Sequence, residues 1–318
     1  MEKSTRIPSL DGIRGLAISL VLLWHIPIKV FRGHVPHHPL LSWLVDLGRF
    51  TWSGVDLFFV LSGFLIGGIL LDAAGSASYF STFYIRRAYR ILPLYAVILV
   101  STLIVYGTNQ WHWTKVATEL SWFVLFLQNF RTAVIGTYAF FGLSMTWSLA
   151  VEEQFYLTLP LVIRLVKRQT LCWLLLGIVL AAPVFRVTVV NVLKLPWIAA
   201  YILTPCRADT LCLGALIAIA IRNRSVWEKL VTNRKYLYAG FAFVCSLTAW
   251  MLASSFQPFT MQLFGLEYSL LALLYALLLL CTLISPPLSR LFSFRPLRWL
   301  GSIAYGLYLF HGMTTFLL

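Results

Sequence analysis

The sequence has little charge, and acids are especially few. Only 11% of its 318 residues are charged, and 11 Asp and Glu stand against 25 Lys and Arg. Soluble domains carry about 25% charged residues, so this chain lacks the polar groups that a water-facing surface needs. Because 60% of the residues are hydrophobic and lipid accepts an apolar surface, we predict an integral membrane protein.

Several signatures of other protein classes are also absent. The five cysteines form no Cys-x-x-Cys pair, so neither a disulfide framework nor a zinc knuckle is indicated. The lack of Gly-x-x-x-x-Gly-Lys, His-Glu-x-x-His and Gly-x-Ser-x-Gly argues against ATP-driven transport and serine hydrolysis. His34, His37 and His38 lie in a proline-rich stretch without acidic partners. We therefore expect no metal and no permanently bound cofactor.

The basic residues occur in short clusters between apolar stretches, with a net charge of +14. A nucleic-acid binder would gather them on one solvated face, so no nucleic-acid partner is predicted. Short basic clusters are typical of cytoplasmic loops. The N-terminus, with Lys3 and Arg6, is therefore predicted to be cytoplasmic. The same rule puts residues 72–91, 222–235 and 285–299 inside and residues 31–49 and 255–262 outside.

The apolar stretches predict an all-α fold, a polytopic transmembrane helix bundle with about nine crossings. A span needs about 20 mostly apolar residues. The stretch 118–130 is short and polar at its ends, so it is predicted to be re-entrant or interfacial. No repeat or linker divides the chain, and residues 1–318 are taken as one membrane domain. The predicted spans are residues 11–30, 52–71, 92–107, 146–166, 170–190, 204–221, 236–254, 263–284 and 300–318.

Ionisable side chains inside spans are costly and mark function by default. Arg14 and His25 are close to three helical turns apart, so they should share one face about 16 Å apart. His25 is the candidate base, since imidazole titrates near neutral pH; a packed histidine is the alternative. Asp56 is predicted to face Arg14 or water, in an ion pair or a ligand site. Three glycines of the second span are predicted to allow close helix packing: Gly63, Gly67 and Gly68.

Two later segments carry further candidate groups. Arg86, Arg87 and Arg90 fall within about 100° of arc on a helix and could hold a polyphosphate. Their alternative role is a topology anchor that binds lipid phosphates. Glu152 and Glu153, at the outer start of a span, lie about 100° apart around a helix. One is therefore predicted to face the bundle and the other the headgroups.

Other polar residues lie near the predicted outer helix ends. Arg207 and Asp209 are predicted to form a local pair. Tyr305 and Tyr308 in the last span could simply anchor the interface. His311 in the same stripe favours a polar cavity instead.

Five motifs in a fixed order resemble acyltransferase family 3, the membrane acyltransferases that include bacterial O-antigen and exopolysaccharide acetylases. The resemblance covers nearly the whole chain. The family usually has a serine where Ala304 stands, and one more helix than this chain, which is therefore predicted to be C-terminally truncated. The motifs are Leu10-Asp11-Gly12-Ile13-Arg14-Gly15 with His25, Gly54-Val55-Asp56-Leu57-Phe58-Phe59-Val60-Leu61-Ser62-Gly63-Phe64, Arg86-Arg87-x-x-Arg90-Ile91-x-Pro93-x-Tyr95, Trp147-Ser148-Leu149-x-Val151-Glu152-Glu153-Gln154-Phe155-Tyr156, and Tyr305-x-x-Tyr308-x-x-His311.

The resemblance implies an enzyme, an O-acyltransferase of the bacterial inner membrane. Its donor would be acetyl-CoA or another acyl-CoA, bound at the cytoplasmic face. Its acceptor would be a hydroxyl of a cell-surface carbohydrate or glycolipid, such as a polysaccharide or lipopolysaccharide. The expected partners are these two substrates and membrane lipids.

The predicted site combines the residue chemistry with the resemblance. His25, as base or transient acyl carrier, Arg14 and Glu153 are expected to be catalytic, and Arg86, Arg87 and Arg90 to bind the donor. A secondary transporter of a sugar or acylated product, with Arg14, Asp56 and Glu153 as a relay, is the alternative. The ionisable clusters disfavour a non-catalytic scaffold. The residues expected to bind substrate are Asp56, Trp147, Glu152, Tyr305, Tyr308 and His311.

Overall fold

The described part of the chain is helical and contains no strand. The structure, a computed structural model, describes residues 7–30, 51–109, 113–254 and 264–317; of these, the side chains of 26–30, 109, 252–254, 264 and 313–317 are left out. The His34–His38 stretch and the predicted outer segments 31–49 and 255–262 thus lie wholly outside the described residues. The helices are α1 Pro8–Val30, α2 Gly54–Ala73, α3 Tyr79–Asn109, α4 Trp113–Val124, α5 Gln128–Ile135, α6 Trp147–Leu165, α7 Arg168–Asn191, α8 Trp197–Ile202, α9 Thr204–Ile221, α10 Arg224–Thr232, α11 Arg234–Ser254, α12 Phe264–Ile284, α13 Pro286–Phe292 and α14 Arg295–Leu317.

The predicted all-α membrane fold is confirmed, but the number of crossings is not. Within the described residues, five helical segments are long and apolar enough to cross a membrane. The other four predicted spans correspond to α1, α6, α11 and α14, which are helical but are not among these five segments. About nine crossings therefore stays a prediction. The five segments are Thr51–Ala73, Tyr79–Thr108, Arg168–Asn191, Trp197–Ile221 and Gly265–Ile284.

Two predicted boundaries change in the structure. The predicted span 92–107 is part of α3, a continuous 31-residue helix that contains Pro93. The arginine cluster therefore belongs to the same helix as the span. The sequence does not predict this continuity, because the charge of the cluster interrupts the apolar pattern. The stretch 118–130 falls in α4 and α5, of 12 and 8 residues, separated near Phe126, whose φ is +53°. Neither helix is long enough to cross a bilayer.

Close approaches at glycine hold the centre of the bundle together. A Cβ on Gly63 of α2 would lie 1.9 Å from the carbonyl oxygen of Leu211 in α9, and one on Gly214 would lie 2.0 Å from that of Val60. The same relation joins α1 to α14, where a Cβ on Gly301 would lie 1.8 Å from the oxygen of Asp11. Helix axes this close require residues without a side chain. These two pairs fix α1, α2, α9 and α14 relative to one another.

Candidate active site

An open cavity of about 140 Å³ lies among α1, α2, α3, α6 and α14. Each of the five sequence motifs contributes at least one polar side chain to its wall, although the motifs are up to 290 positions apart along the chain. Phenylalanine and aliphatic side chains from α2 form much of the remaining wall, including Phe58, Phe59 and Ile66. The polar lining residues are Arg14, Ser62, Arg87, Arg90, Ser148, Glu152, Tyr156, Ser302, Tyr305 and Tyr308.

Three arginines gather on this cavity. The Nη1 atom of Arg14 donates to Asp11 Oδ1 at 3.1 Å, and Arg14 lies within electrostatic range of Arg87 and Arg90. The Cζ atom of Arg87 is 5.3 Å from the ring centroid of Tyr156, whereas Arg90 is more exposed. Arg86 is exposed and does not line the cavity. Arg14, Arg87 and Arg90 therefore line the cavity, whereas Arg86 does not.

Both carboxylates of the fourth motif point into the bundle. Glu152 lines the cavity, and Arg87 interacts electrostatically with both Glu152 and Glu153. The Oε1 atom of Glu153 is buried without a hydrogen-bond partner. The prediction that one of the two faces the headgroups is therefore wrong. Because helices pack on more than one side of α6, a step of about 100° does not bring a side chain to the surface.

Paired hydroxyl groups line the same cavity. Ser62 Oγ and the Tyr156 hydroxyl form a hydrogen bond, and Ser148 Oγ lies 2.5 Å from the Tyr308 hydroxyl. Tyr305 donates to the carbonyl oxygen of Ile91 at 2.9 Å. These tyrosines are therefore held inside the bundle by hydrogen bonds rather than serving only as interface anchors.

His25 and His311 lie together beyond Tyr308. Their ring centroids are 4.7 Å apart, and the Tyr308 and His311 rings are 5.5 Å apart. His25 Nδ1 is 2.8 Å from the carbonyl oxygen of Val21, and His311 Nδ1 is 2.6 Å from that of Tyr308. A carbonyl oxygen only accepts, so Nδ1 carries the hydrogen and Nε2 of each neutral ring is the acceptor.

A second group of buried charges differs from the prediction. Asp56, fully buried, forms an ion pair with Arg207 rather than Arg14. Asp209 pairs with Arg186 rather than with Arg207. Residues two apart on a helix point to nearly opposite sides, so Arg207 and Asp209 of α9 reach different neighbours. Arg186, an arginine within a predicted span, was visible in the sequence as a candidate and was overlooked.

Arg207 is enclosed by aromatic rings. Its Cζ atom lies 4.6 Å from the ring centroid of Tyr268, 5.4 Å from that of Tyr201, 5.8 Å from that of Phe59 and 6.0 Å from that of Trp147. Trp147 therefore packs behind the cavity wall formed by Phe59, and Asp56 lies behind the same wall. Neither Trp147 nor Asp56, both predicted to bind substrate, lines the cavity.

The geometry defines a multi-pass membrane protein whose helices enclose a cavity with clustered arginines. The histidine pair contacts Tyr308 of the cavity wall but does not itself line the cavity. The profile of a family described as an acyltransferase domain matches residues 7–318, and the chain belongs to this family. This match confirms the predicted family, and the names of the relatives support the predicted O-acyltransferase class.

Two curated relatives cover nearly all of the chain. The peptidoglycan O-acetyltransferase OatA of Listeria monocytogenes is 29% identical over 98% of this chain and 50% of its own length. A Bacillus subtilis protein named "Putative peptidoglycan O-acetyltransferase YrhL" is 30% identical over 96% of this chain and 48% of its own length. The chain thus spans about half the length of these relatives. No solved structure matches it.

Proposed function

We propose that this chain transfers an acyl group, in the first instance acetyl, from acyl-CoA to a hydroxyl of a cell-surface carbohydrate. The observation that carries the proposal is the open cavity that joins Arg14, Arg87 and Arg90 to the Ser148–Tyr308 pair, next to the histidine pair. The two relatives are named as a peptidoglycan O-acetyltransferase and a putative one. Peptidoglycan is therefore the first acceptor to test.

The arginine end suits the phosphates of the donor. A guanidinium group binds phosphate by two parallel hydrogen bonds, and Arg87 and Arg90 present this group toward the mouth of the cavity. Arg14 adds a third positive charge from α1. Arg14 lies about 16 Å along the helix from His25, so we assign it to donor binding rather than to an oxyanion near His25.

The histidine end suits the proton transfer. The acceptor hydroxyl oxygen attacks the thioester carbonyl carbon, so that a C–O bond forms and the C–S bond breaks. Nε2 of His25 takes the hydroxyl proton and passes it to the departing sulfur, which leaves as the CoA thiol. The hydroxyls of Ser148 and Tyr308 both donate to the carbonyl oxygen of Met145, and one of them would turn from it to donate to the acyl carbonyl oxygen. Glu152 balances the charge of Arg87 at the donor end.

We assign the arginine end to the cytoplasmic side of a bacterial inner membrane, where acyl-CoA is available. The support is the positive-inside pattern of the basic clusters, with the arginine motif of α3 among them. The histidine pair is then nearer the outer side, from which a cell-surface carbohydrate would approach.

The test is transfer in membrane vesicles that contain the full chain. Labelled acetyl-CoA is added with muramidase-released peptidoglycan fragments, and label in the fragments is compared with free CoA released. We expect one CoA per acetyl group transferred. Acetylated fragments formed from acetyl phosphate but not from acetyl-CoA would overturn the donor. Uptake of a sugar without any acylation would overturn the proposed function in favour of transport.

The transporter alternative gains no support from the described residues. Its relay would join Arg14, Asp56 and Glu153. Asp56 is instead paired with Arg207 behind Phe59, away from the cavity that Arg14 lines. The three groups therefore do not form one path.

A further inference from the structure

Three aromatic side chains outside the cavity form a compact group, which we call the aromatic platform: Trp52, Tyr201 and Tyr268. The ring centroids of Trp52 and Tyr268 are 5.5 Å apart, those of Trp52 and Tyr201 6.1 Å, and those of Tyr201 and Tyr268 5.8 Å. Tyr268 is buried, whereas Trp52 and Tyr201 are half-buried. The platform therefore extends from the protein interior to the surface.

The buried charges give this platform a rigid base. Arg207 lies against the rings of Tyr201 and Tyr268 and is itself held by Asp56. A desolvated guanidinium over aromatic faces is a favourable contact that restricts the rings. The platform residues come from three separate segments, the 3₁₀ turn Thr51–Ser53, α8 and α12. Arg207 thus contacts two of these three segments, α8 and α12.

The platform lies at the same end of the bundle as the histidine pair. The ring of Tyr201 is 4.6 Å from that of Trp147, and the next residue, Ser148, contacts the Tyr308 hydroxyl. On the other side, Trp52 lies two residues before Gly54, and Gly54 packs against Val21 of α1. Val21 is one helical turn before His25. The platform and the histidines therefore flank the start of α6 from two sides.

We propose that the aromatic platform binds the carbohydrate acceptor, with sugar rings stacked on Trp52 and Tyr201 and one hydroxyl directed toward His25. This inference rests on the proposed function. Tyrosine and tryptophan combine a flat apolar face with a polar edge, which matches a sugar ring with its C–H faces and peripheral hydroxyls. Aromatic residues near a helix end can instead anchor the protein at the membrane interface, so the experiment separates these two roles.

The experiment compares Trp52→Ala and Tyr201→Ala with the wild-type chain in membrane vesicles. Two reactions are measured: acetyl transfer to muramidase-released peptidoglycan fragments, and hydrolysis of acetyl-CoA without acceptor. We expect the KM for the fragments to rise roughly tenfold or more, the size expected for a stacked ring. The KM for acetyl-CoA should not change, and hydrolysis should fall much less than transfer. Tyr201→Phe keeps the ring and should stay near wild type.

Trp173→Ala is the matched control, because Trp173 is an exposed aromatic residue on α7, 66% accessible and outside the platform. It should change neither KM. If hydrolysis falls in parallel with transfer in the platform variants, the rings only support the fold and the proposal is wrong. An unchanged fragment KM with normal turnover would overturn the platform and leave the enzyme function standing.

Equilibrium dialysis with labelled fragments separates the two proposals further. The fragments could bind the wild-type chain but not Trp52→Ala, in vesicles that consume no acetyl-CoA. That result would contradict the acyl-CoA reaction and support the aromatic platform as the acceptor site. Fragments that bind both chains equally would overturn the platform.

Discussion

At the scale of single residues, backbone carbonyls orient the rings of the two histidines. His25 and His311 each hydrogen-bond a carbonyl oxygen of their own helix, four and three residues earlier. Nε2 then faces away from the helix it belongs to. This is the arrangement that a base needs at membrane depth, where a permanent charge is costly.

The first prediction concerns His25→Gln in the full chain, assayed for acetyl transfer in membrane vesicles. Glutamine can still donate a hydrogen bond to the Val21 carbonyl, so the variant should insert and accumulate normally. It cannot take up a proton near neutral pH, so acetyl transfer per mole of protein should fall by about 10² to 10⁴-fold. Donor binding, measured separately, should survive. Near-normal turnover would make His25 structural and His311 the next candidate for the base.

The second prediction compares neighbouring arginines on α3. Arg87→Ala should raise the KM for acyl-CoA more than that for the acceptor, since a charge-assisted contact is worth about 1.5–3 kcal/mol. Arg90→Ala should act in the same direction but less, because solvent screens its more exposed side chain. Arg87→Lys should rescue only partly, as an ammonium group cannot form two parallel hydrogen bonds.

Arg86→Ala is the matched control for this comparison, with the same chemistry one residue away and off the cavity. It should leave both KM values nearly unchanged in the steady-state assay. Equal effects of all three variants on donor and acceptor would mean that the cluster only anchors the helix in the membrane.

At the scale of helices, close packing makes some glycines irreplaceable and others neutral. A methyl group on Gly63 would overlap the backbone of α9, whereas nothing lies within 4 Å of a Cβ on Gly177. We predict that Gly63→Ala lowers the thermal midpoint of the detergent-purified protein by pushing α2 and α9 apart. Gly177→Ala should leave it unchanged or raise it, since alanine favours a helix by about 1 kcal/mol over glycine. Equal midpoints would show that the two helices separate easily.

The sequence predicted which residues line the cavity better than it predicted which buried charges pair with one another. Arg14, Arg87, Glu152, Tyr305 and Tyr308 were singled out because polar residues at membrane depth are costly, and that argument needs no knowledge of contacts. The role of each in the reaction stays a prediction.

Contacts between distant segments could not be predicted in the same way. The pairing of Asp56 with Arg207 joins α2 to α9 across 151 positions, and no periodicity specifies which of several buried arginines a carboxylate meets. Asp56 was therefore assigned to Arg14 of another helix, and Asp209 to its sequence neighbour Arg207, which helix geometry keeps apart from it. The positions of the helices were predictable from the lengths of the apolar stretches. The predicted span in α3 was too short, because Arg86, Arg87 and Arg90 interrupt the apolar pattern near its start.

At the scale of the whole molecule, three arginines from two of the basic clusters meet structural partners at one end of the bundle. Arg222, after α9, binds Asp72 at the end of α2 through two hydrogen bonds of 2.7 and 2.6 Å. Arg164 of α6 donates to the carbonyl oxygen of Ala74. Arg168 of α7 donates to that of Ile219 at 2.9 Å. The loops around residues 74, 166 and 222 therefore share one side, as the charge pattern alone predicts.

The last prediction tests which side this is. In a background with the native cysteines replaced, Ser76→Cys, Ala88→Cys and Ser255→Cys are introduced singly into sealed cells. A membrane-impermeant thiol reagent should label position 255 from outside, because it lies in a predicted outer segment. Positions 76 and 88 should react only after the cells are opened, since Ser76 is exposed but in a loop predicted to be cytoplasmic. Ala88 adjoins Arg87 on α3, so labelling of position 88 in sealed cells would overturn both the orientation and the cytoplasmic donor site. Labelling of 76 and 255 from the same side would instead contradict the predicted odd number of crossings between them.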